Sequence, residues 1–257
     1  MSRYFLELSY KGTKYSGFQS QRNANTIQAE VEKAFEILQK TKVVMVGSSR
    51  TDAGVHALQN YFHFDTILPL HLWRGIEGEA HFVYKMNAIL PDDIAIKKID
   101  QVADDAHCRF DAISREYKYF IYRYKNPFLK ETAFYFPYKI DINKLNKAAE
   151  IVKSYSDFAS FSKRKTQVKT FKCAIIKSEW KWENECLVYH VKANRFLRGM
   201  IRGLVATMLL VGREKISLDE FENIIKEKDS AKANFSAPSH GLILIKVEYL
   251  PDIIKKE

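Results

Sequence analysis

The segment GSSRTDAGVHA, residues 47–57, places Arg50, Asp52 and His56 within seven residues and also contains Gly47 and Gly54. An ionised aspartate can act as a nucleophile or as a proton acceptor. Asp and Gly are also favoured in turns for backbone reasons alone, because Asp bonds its own backbone and Gly accepts a positive φ. The segment by itself therefore fits both a reactive loop and an ordinary turn.

A second group of charged residues lies in an apolar segment. The spacing of apolar residues predicts a helix over 196–211 that is apolar on nearly all sides and therefore buried. Arg195, Arg198 and Arg202 would fall on one stripe of it. A buried guanidinium without a partner is costly, so we expect Arg202 to meet a carboxylate or a phosphate, with Asp52 as the candidate carboxylate. A stripe facing solvent fits Arg195 and Arg198 equally well.

Two tyrosines, Tyr117 and Tyr119, share one face of a predicted strand over 115–124. Tyrosines in strands are commonly part of a core. A tyrosine close to a reactive aspartate could instead stack on a flat ligand. Both interpretations stay open on the pattern alone.

Elements that could position these residues follow one another in the order strand, helix, strand, strand, helix, strand. In the first part of the chain the predicted strands are 3–10, 43–47, 58–65 and 93–99, and the predicted helices follow Thr26 and cover about 79–89. This order is the split ferredoxin-like arrangement, which also underlies RNA-binding sheets.

The second part of the chain repeats the order. Its predicted strands are 115–124, two near 172–180 and 187–193, and a last one at 242–250; its predicted helices are 142–154, the apolar helix, and one that starts at a capping box of Ser217 and Glu220. We therefore expect an α+β protein of two ferredoxin-like halves, 1–104 and 105–257, packed side by side with a central cleft.

The composition describes a basic globular protein. The chain has 257 residues, 46% of them hydrophobic, with 41 Lys and Arg against 31 Asp and Glu for a formal net charge of +10. Such an excess favours a polyanion such as nucleic acid, the alternative being a basic protein without one. Three widely spaced cysteines predict neither a disulfide framework nor a zinc site. No signal-peptide core and no run of about 18 apolar residues is present, so we expect a cytoplasmic protein without a membrane segment.

Several motifs together resemble the TruA family of tRNA pseudouridine synthases. The loop SRTDAGVHA is similar to the family signature G-R-T-D-A-G-V-H, and YKGTKYSGFQSQ, which starts at Tyr10, is similar to the family's opening motif. The segments SREYKYFIY, ANRFLRGMIRGLVATMLLVG and SAPSHGLIL then follow in family order. The resemblance covers almost the whole chain. One departure is the pair Ser48 and Ser49, where the family often has a small residue and Gly; a positive φ there would cost about 1 kcal/mol.

The resemblance implies a role for five residues. The family's catalytic aspartate maps onto Asp52 and its base-displacing arginine onto Arg50. Its uracil-stacking tyrosine maps onto Tyr117, and the helical arginine that supports the aspartate onto Arg202. Leu242 matches an apolar residue that lies against the base. His56 belongs to the motif, and we expect it to be a hydrogen-bonded structural residue.

The implied activity is the isomerisation of uridine to pseudouridine in the anticodon stem-loop of tRNA, at positions 38, 39 and 40. The implied enzyme is a homodimer that uses an aspartate and neither a cofactor nor a metal. Asp52 could attack C1′ of the sugar or C6 of the base, or remove the C2′ proton, and the sequence leaves these routes open. The basic stretch 162–169 is a candidate phosphate contact or, alternatively, a solvated loop.

Two other classes of protein compete with this interpretation. A non-catalytic tandem RNA-binding module would share the ferredoxin-like halves, but its RNP1-type aromatic string is absent from the sequence. A metal-dependent nuclease could use Asp52 and His56, but it would need further carboxylates for Mg²⁺, and the sequence shows no such cluster.

Overall fold

The computed structural model describes residues 1–67, 78–163 and 168–253. The described residues form five α-helices and nine β-strands, which confirms the α+β class. The chain divides into two compact units, Met1–Ile113 with Leu244–Glu257, and Ser114–Ile243. The two ferredoxin-like halves with a boundary between residues 104 and 105, and the cleft, stay predictions.

The first unit is a sheet with two helices. Its elements are β1 Ser2–Tyr10, α1 Ile27–Gln39, β2 Val46–Gly47, β3 His56–Thr66, α2 Gly78–Ile89 and β4 Ile94–Gln101. Strand β1 pairs in antiparallel fashion with β3 on one side and β4 on the other. Strand β2 pairs with β3. The three long strands and both helices agree with the elements predicted for this part of the chain.

Helix α1 packs its apolar face against the first sheet. Thr26 caps the helix by accepting a hydrogen bond of 3.3 Å from the amide of Ala29. Its Phe35 ring packs edge-on against Phe64 of β3, at a centroid distance of 5.2 Å, and against Phe82 of α2. Burial of these rings joins the two helices to β3, the strand that follows residues 48–55.

The strand predicted over 43–47 is shorter in the structure, and only Val46–Gly47 pairs with a neighbour. The backbone of Met45 bonds side chains instead of a neighbouring strand. Its amide donates to Glu32 Oε1 at 2.9 Å, and its carbonyl accepts from Gln28 Nε2 at 2.8 Å. Side chains of α1 therefore satisfy backbone groups that a strand would have paired.

The second unit is a sheet of strands with three helices. Its elements are β5 Ser114–Tyr122, β6 Phe134–Tyr135, α3 Ile142–Ser154, β7 Ile175–Glu183, β8 Cys186–Ala193, α4 Met200–Gly212 and α5 Leu218–Glu227. Strand β8 lies between β5 and β7, antiparallel to both. The capping box of Ser217 and Glu220 is present at the start of α5. The last strand, β9 Leu242–Glu248, starts in the second unit and ends in the first.

Aromatic residues of β7 and β8 form a core with α3 and α4. The Trp180 and Tyr189 rings lie 5.0 Å apart. Trp180 Nε1 donates to Met208 Sδ of α4 at 3.5 Å, and Asn146 of α3 bonds both backbone groups of Trp180 at 3.0 and 2.8 Å. These contacts fix α4, which carries Arg202, on the sheet.

Helix α4 starts about one turn later than predicted. Gly199 is its N-cap residue and has a φ of +76°, a left-handed conformation that interrupts a helical path. Arg195 and Arg198 therefore lie ahead of the helix and do not share a stripe with Arg202, and the predicted stripe is wrong. The sequence pattern missed this because Phe196 and Leu197 continue the apolar spacing ahead of Gly199.

Among the described residues, no helix is both long enough and apolar enough to cross a membrane. Cys108, Cys173 and Cys186 are buried free thiols.

Candidate functional site

The RTD loop, residues 48–55, connects β2 to β3 in the first unit. Its side chains alternate in exposure: Ser49 and Thr51 are buried, Arg50 is exposed and Asp52 is half-buried. The loop thus directs its neutral polar residues inward and presents its two charged residues toward the surface.

A tight turn follows Asp52. The Val55 amide donates to the Asp52 carbonyl at 3.2 Å, and Gly54 has the positive φ, +76°, that the third position of a type II turn requires. Neither Ser48 nor Ser49 has a positive φ. The two serines before Arg50 therefore do not carry the strain that the sequence left open.

The opening motif, residues 10–21, binds the RTD loop and the first residue of β3. The Gly12 amide donates to His56 Nδ1 at 3.0 Å, and the Phe18 amide donates to the Thr51 carbonyl at 3.1 Å. A Cβ atom at Gly12 would lie 2.0 Å from the Val55 carbonyl oxygen, so the approach is possible only for glycine. His56 is buried and accepts a backbone hydrogen bond, which is the structural role expected for it.

The start of the RTD loop is held by the residues that follow the last strand. Tyr249 donates its hydroxyl proton to Cys108 O at 2.6 Å and lies 3.0 Å from Ser48 Oγ. His63 binds the same residue, Cys108, and accepts from its amide through Nδ1 at 3.3 Å. Burial, followed by the nearby His107, lowers the pKa of His63 to about 4. His63 is therefore neutral at physiological pH and can act as an acceptor.

Sequence reasoning missed two residues that contact the loop from its buried side, Tyr10 and Asn60. Tyr10 Oη lies 2.7 Å from Thr51 Oγ1, and Asn60 Nδ2 donates to the Ser49 carbonyl at 3.0 Å. A signal was present for Asn60, because it is a polar residue in the row that continues with the buried residues Phe62 and Phe64. Tyr10 is the first residue of the opening motif, but the motif alone did not indicate that its hydroxyl contacts the loop.

The two tyrosines of β5 have different surroundings. Tyr119 is fully buried and donates its hydroxyl proton to the Pro238 carbonyl at 2.7 Å. Burial raises the pKa of this phenol. Tyr117 is 9% exposed, and the Phe196 ring lies against it edge-on, at 87° and 5.3 Å between centroids. Tyr119 is thus a core aromatic, and Tyr117 is the residue of the pair with surface remaining.

Arg202 lies in the first turn of α4 and is half-buried. Its Nε–H donates to the Ala237 carbonyl at 2.6 Å. This main-chain partner differs from the carboxylate or phosphate that the sequence predicted. Pairing of Arg202 with Asp52 stays a prediction.

Leu242 follows the same segment. The bonds from Arg202 to Ala237 and from Tyr119 to Pro238 hold its start, and a short 3-10 turn, Ser239–Gly241, leads to Leu242, which is buried. At Gly241 a Cβ atom would lie 2.8 Å from the Tyr119 ring. The second unit therefore positions Leu242 through a segment that is bonded to Arg202 of α4 and to Tyr119 of β5.

The five predicted site residues are distributed over the two units. Arg50 and Asp52 are on one loop of the first unit, and Tyr117, Arg202 and Leu242 are in the second. Within residues 1–67, 78–163 and 168–253, no three His, Cys, Asp or Glu side chains come together as a set of metal ligands.

The close approach of Gly12 to the RTD loop can be tested by adding one methyl group. We expect Gly12→Ala to lower the free energy of unfolding by about 1–3 kcal/mol, because backbone must move to relieve the contact with Val55. Thr13→Ala, at the exposed neighbouring position, is the matched control and should have little effect. Urea unfolding measures both, and equal midpoints for the two variants would contradict the close approach.

Comparisons with known proteins place the chain in one family. A family model described as tRNA pseudouridine synthase matches residues 8–111 and 155–250. The protein named tRNA pseudouridine synthase A from Parabacteroides distasonis is 42% identical over 258 residues, covering 100% of both chains. Its namesake from Bacteroides fragilis is 42% identical over 260 residues, covering 99% of both. Another from Staphylococcus aureus is 35% identical over 249 residues, covering 95% of this chain and 90% of that protein.

The matched ranges contain the opening motif, the RTD loop, Arg202 and Leu242, whereas Tyr117 lies between them. The family is one of isomerases. The family model matches most of the chain, and the relatives align with it from end to end. This chain therefore belongs to the tRNA pseudouridine synthase family.

Proposed function

We propose that this chain isomerises uridine to pseudouridine in the anticodon stem-loop of tRNA, at positions 38, 39 and 40, with Asp52 as the reacting carboxylate. The observation that carries the proposal is the RTD loop itself, which holds a half-buried Asp52 two residues from an exposed Arg50 on a backbone bonded to the opening motif. Family membership favours this isomerase over the binding module and the nuclease.

The reaction needs a carboxylate and a site that fits the nucleoside. The bond from C1′ to N1 breaks and a bond from C1′ to C5 forms, the C5 proton is lost and N1 gains a proton, so atoms and electrons balance without a redox partner. An ionised Asp52 can attack C1′ or C6, or take the C2′ proton. The proposal requires only that this carboxylate reach the nucleoside.

The target base has to leave its stack before it can react. Unstacking costs a few kcal/mol, which new contacts to the base and to the gap it leaves must offset. Arg50 is exposed and can fill the gap. Tyr117, whose ring is held edge-on by Phe196, is proposed to stack on the uracil, and Leu242 to lie against it.

Arg202 is proposed to support Asp52. The bond from its Nε–H to Ala237 fixes one edge of the guanidinium plane, and a planar group with several donors suits a carboxylate.

The net charge of +10 supports a polyanionic partner. The stretch 162–169 is a proposed phosphate contact, although residues 164–167 lie outside the described part of the chain. A homodimer, a cytoplasmic location and catalysis without a cofactor complete the proposal.

Asp52→Asn tests the reacting role of the carboxylate. The amide has nearly the same shape but can neither attack the nucleoside nor accept its proton effectively, so turnover should vanish while tRNA affinity changes little. The readout is tritium release from tRNA labelled at C5 of uridine, in single turnover with excess enzyme. Asp92→Asn, at an exposed position of the same unit, should release tritium like the unmodified protein. Substantial release by the Asp52 variant would refute the assignment.

The contributions of the Tyr117 ring and of its hydroxyl can be tested separately. Tyr117→Phe keeps the stacking surface, so tRNA should bind nearly normally while turnover falls if the hydroxyl helps to remove the C5 proton. Tyr117→Leu should weaken both binding and turnover. Filter binding and single-turnover tritium release separate these effects. Wild-type turnover by the Phe variant would exclude a chemical part for the hydroxyl.

A further inference from the structure

We infer that Tyr10, Thr51 and Asn60, here called the loop clamp, set the positions of Arg50 and Asp52 for the reaction from the buried side of the RTD loop. Asn60 is the central positioning residue. The inference rests on the proposed function, because it takes Asp52 to be the reacting group.

Asn60 is a buried amide in a row of apolar side chains. It is 0% exposed on β3, where it lies opposite Leu8 of β1, and the row continues with Phe62 and Phe64. Burying an amide is unfavourable unless its hydrogen bonds are made. Both bonds of Asn60 Nδ2 go to the region of the loop, one to the Ser49 carbonyl at 3.0 Å and one to Tyr10 Oη at 3.2 Å.

The side-chain oxygen of Asn60 is also hydrogen-bonded. Its Oδ1 accepts from the Tyr61 amide at 2.9 Å. This bond fixes the orientation of the amide, because the oxygen is held by the strand and the nitrogen must then point to Ser49 and Tyr10. The donors of the clamp are therefore oriented by β3 itself.

Tyr10 extends the clamp to the second side of Arg50. Its hydroxyl lies 2.7 Å from Thr51 Oγ1, and its ring packs against Phe18 at 5.6 Å between centroids. Ser49 and Thr51 are the residues immediately before and after Arg50. Because Ser49 and Thr51 are both held, the backbone at Arg50 has little freedom to rotate. Asp52 directly follows Thr51.

The clamp acts through neutral groups. Phe in place of Tyr10 and Val in place of Thr51 each remove a hydroxyl, preserve most of the volume and leave the formal net charge at +10. Attraction to a polyanion should therefore be unchanged. A small displacement of Asp52 should appear in the rate of reaction, because positional errors near 1 Å can cost about 100-fold in rate.

A clamp that only stabilises the fold would give a different result. Tyr61 supplies the matched control, because it is on the same strand as Asn60 and its side chain is away from those of the clamp. Its half-buried hydroxyl donates to Glu7 Oε2 of β1 at 2.6 Å. Tyr61→Phe should cost stability without changing the rate. If the clamp were merely structural, Tyr10→Phe and Tyr61→Phe would behave alike in both measurements.

The experiment compares Tyr10→Phe, Thr51→Val, their double variant and Tyr61→Phe. Each protein is assayed for tRNA affinity, for urea midpoint and for single-turnover tritium release. We expect each single variant of the clamp to react at least about tenfold more slowly with unchanged affinity, and Tyr10→Phe to be at least as slow as Thr51→Val because it also removes the acceptor of an Asn60 bond. The double variant should be no slower than Tyr10→Phe, because that variant has already removed the bond to Thr51. Asn60→Ala, which also releases Ser49, should be slower still.

Wild-type rates in Tyr10→Phe and Thr51→Val, or losses that multiply in the double variant, would overturn the clamp. An equal loss of rate in Tyr61→Phe would do the same. Asp52→Asn assayed alongside separates the two claims: tritium release by that variant contradicts the proposed function, whereas the clamp is judged from the rates of its own variants.

Discussion

The bond between the opening motif and the RTD loop is the contact on which the first half of the site depends. A loop that presents Arg50 and Asp52 must still satisfy its buried backbone, and the Phe18 amide does so for the Thr51 carbonyl. The Gly12 amide binds the ring of His56, where β3 starts. Charged side chains can therefore point outward from a backbone that is fixed inside. The chemistry of Asp52 is that of any carboxylate, and its placement is the contribution of the fold.

The second unit uses the same principle with different groups. Main-chain carbonyls of Ala237 and Pro238 accept hydrogen bonds from Arg202 and Tyr119. The segment before Leu242 is thereby fastened to a helix and a strand at once. Because Arg202 holds a carbonyl with its Nε–H, its substitution should disturb this segment as well as the support proposed for Asp52.

Local signals were enough to predict most elements, and contacts between distant residues explain the rest. Caps at Thr26 and Ser217 and the apolar periodicity of α3 placed these helices correctly. The strand predicted over 43–47 was too long because side chains of α1 bind the backbone of Met45. The start of α4 was missed because a left-handed Gly199 leaves no trace in hydrophobicity.

The candidate site divides in the same way. The residue pattern singled out Arg50, Asp52, Tyr117 and Arg202 with alternatives left open, and the resemblance supplied their roles and added Leu242. The clamp could not be read from the sequence, since Tyr10 lies 41 residues from Thr51 and 50 from Asn60. The pairing of β1 with β3 brings Tyr10 near Asn60, and the fold of the RTD loop adds Thr51.

Mapping of pseudouridine on an unmodified tRNA transcript tests the proposed activity most directly. The protein is incubated with the transcript in the presence of EDTA, and each modified nucleotide is located along the RNA. We predict pseudouridine at the uridines of positions 38, 39 and 40 in RNA of unchanged length. A transcript that stays unmodified after incubation, or that is shortened, would contradict the assignment of this chain as the enzyme that modifies the anticodon stem-loop.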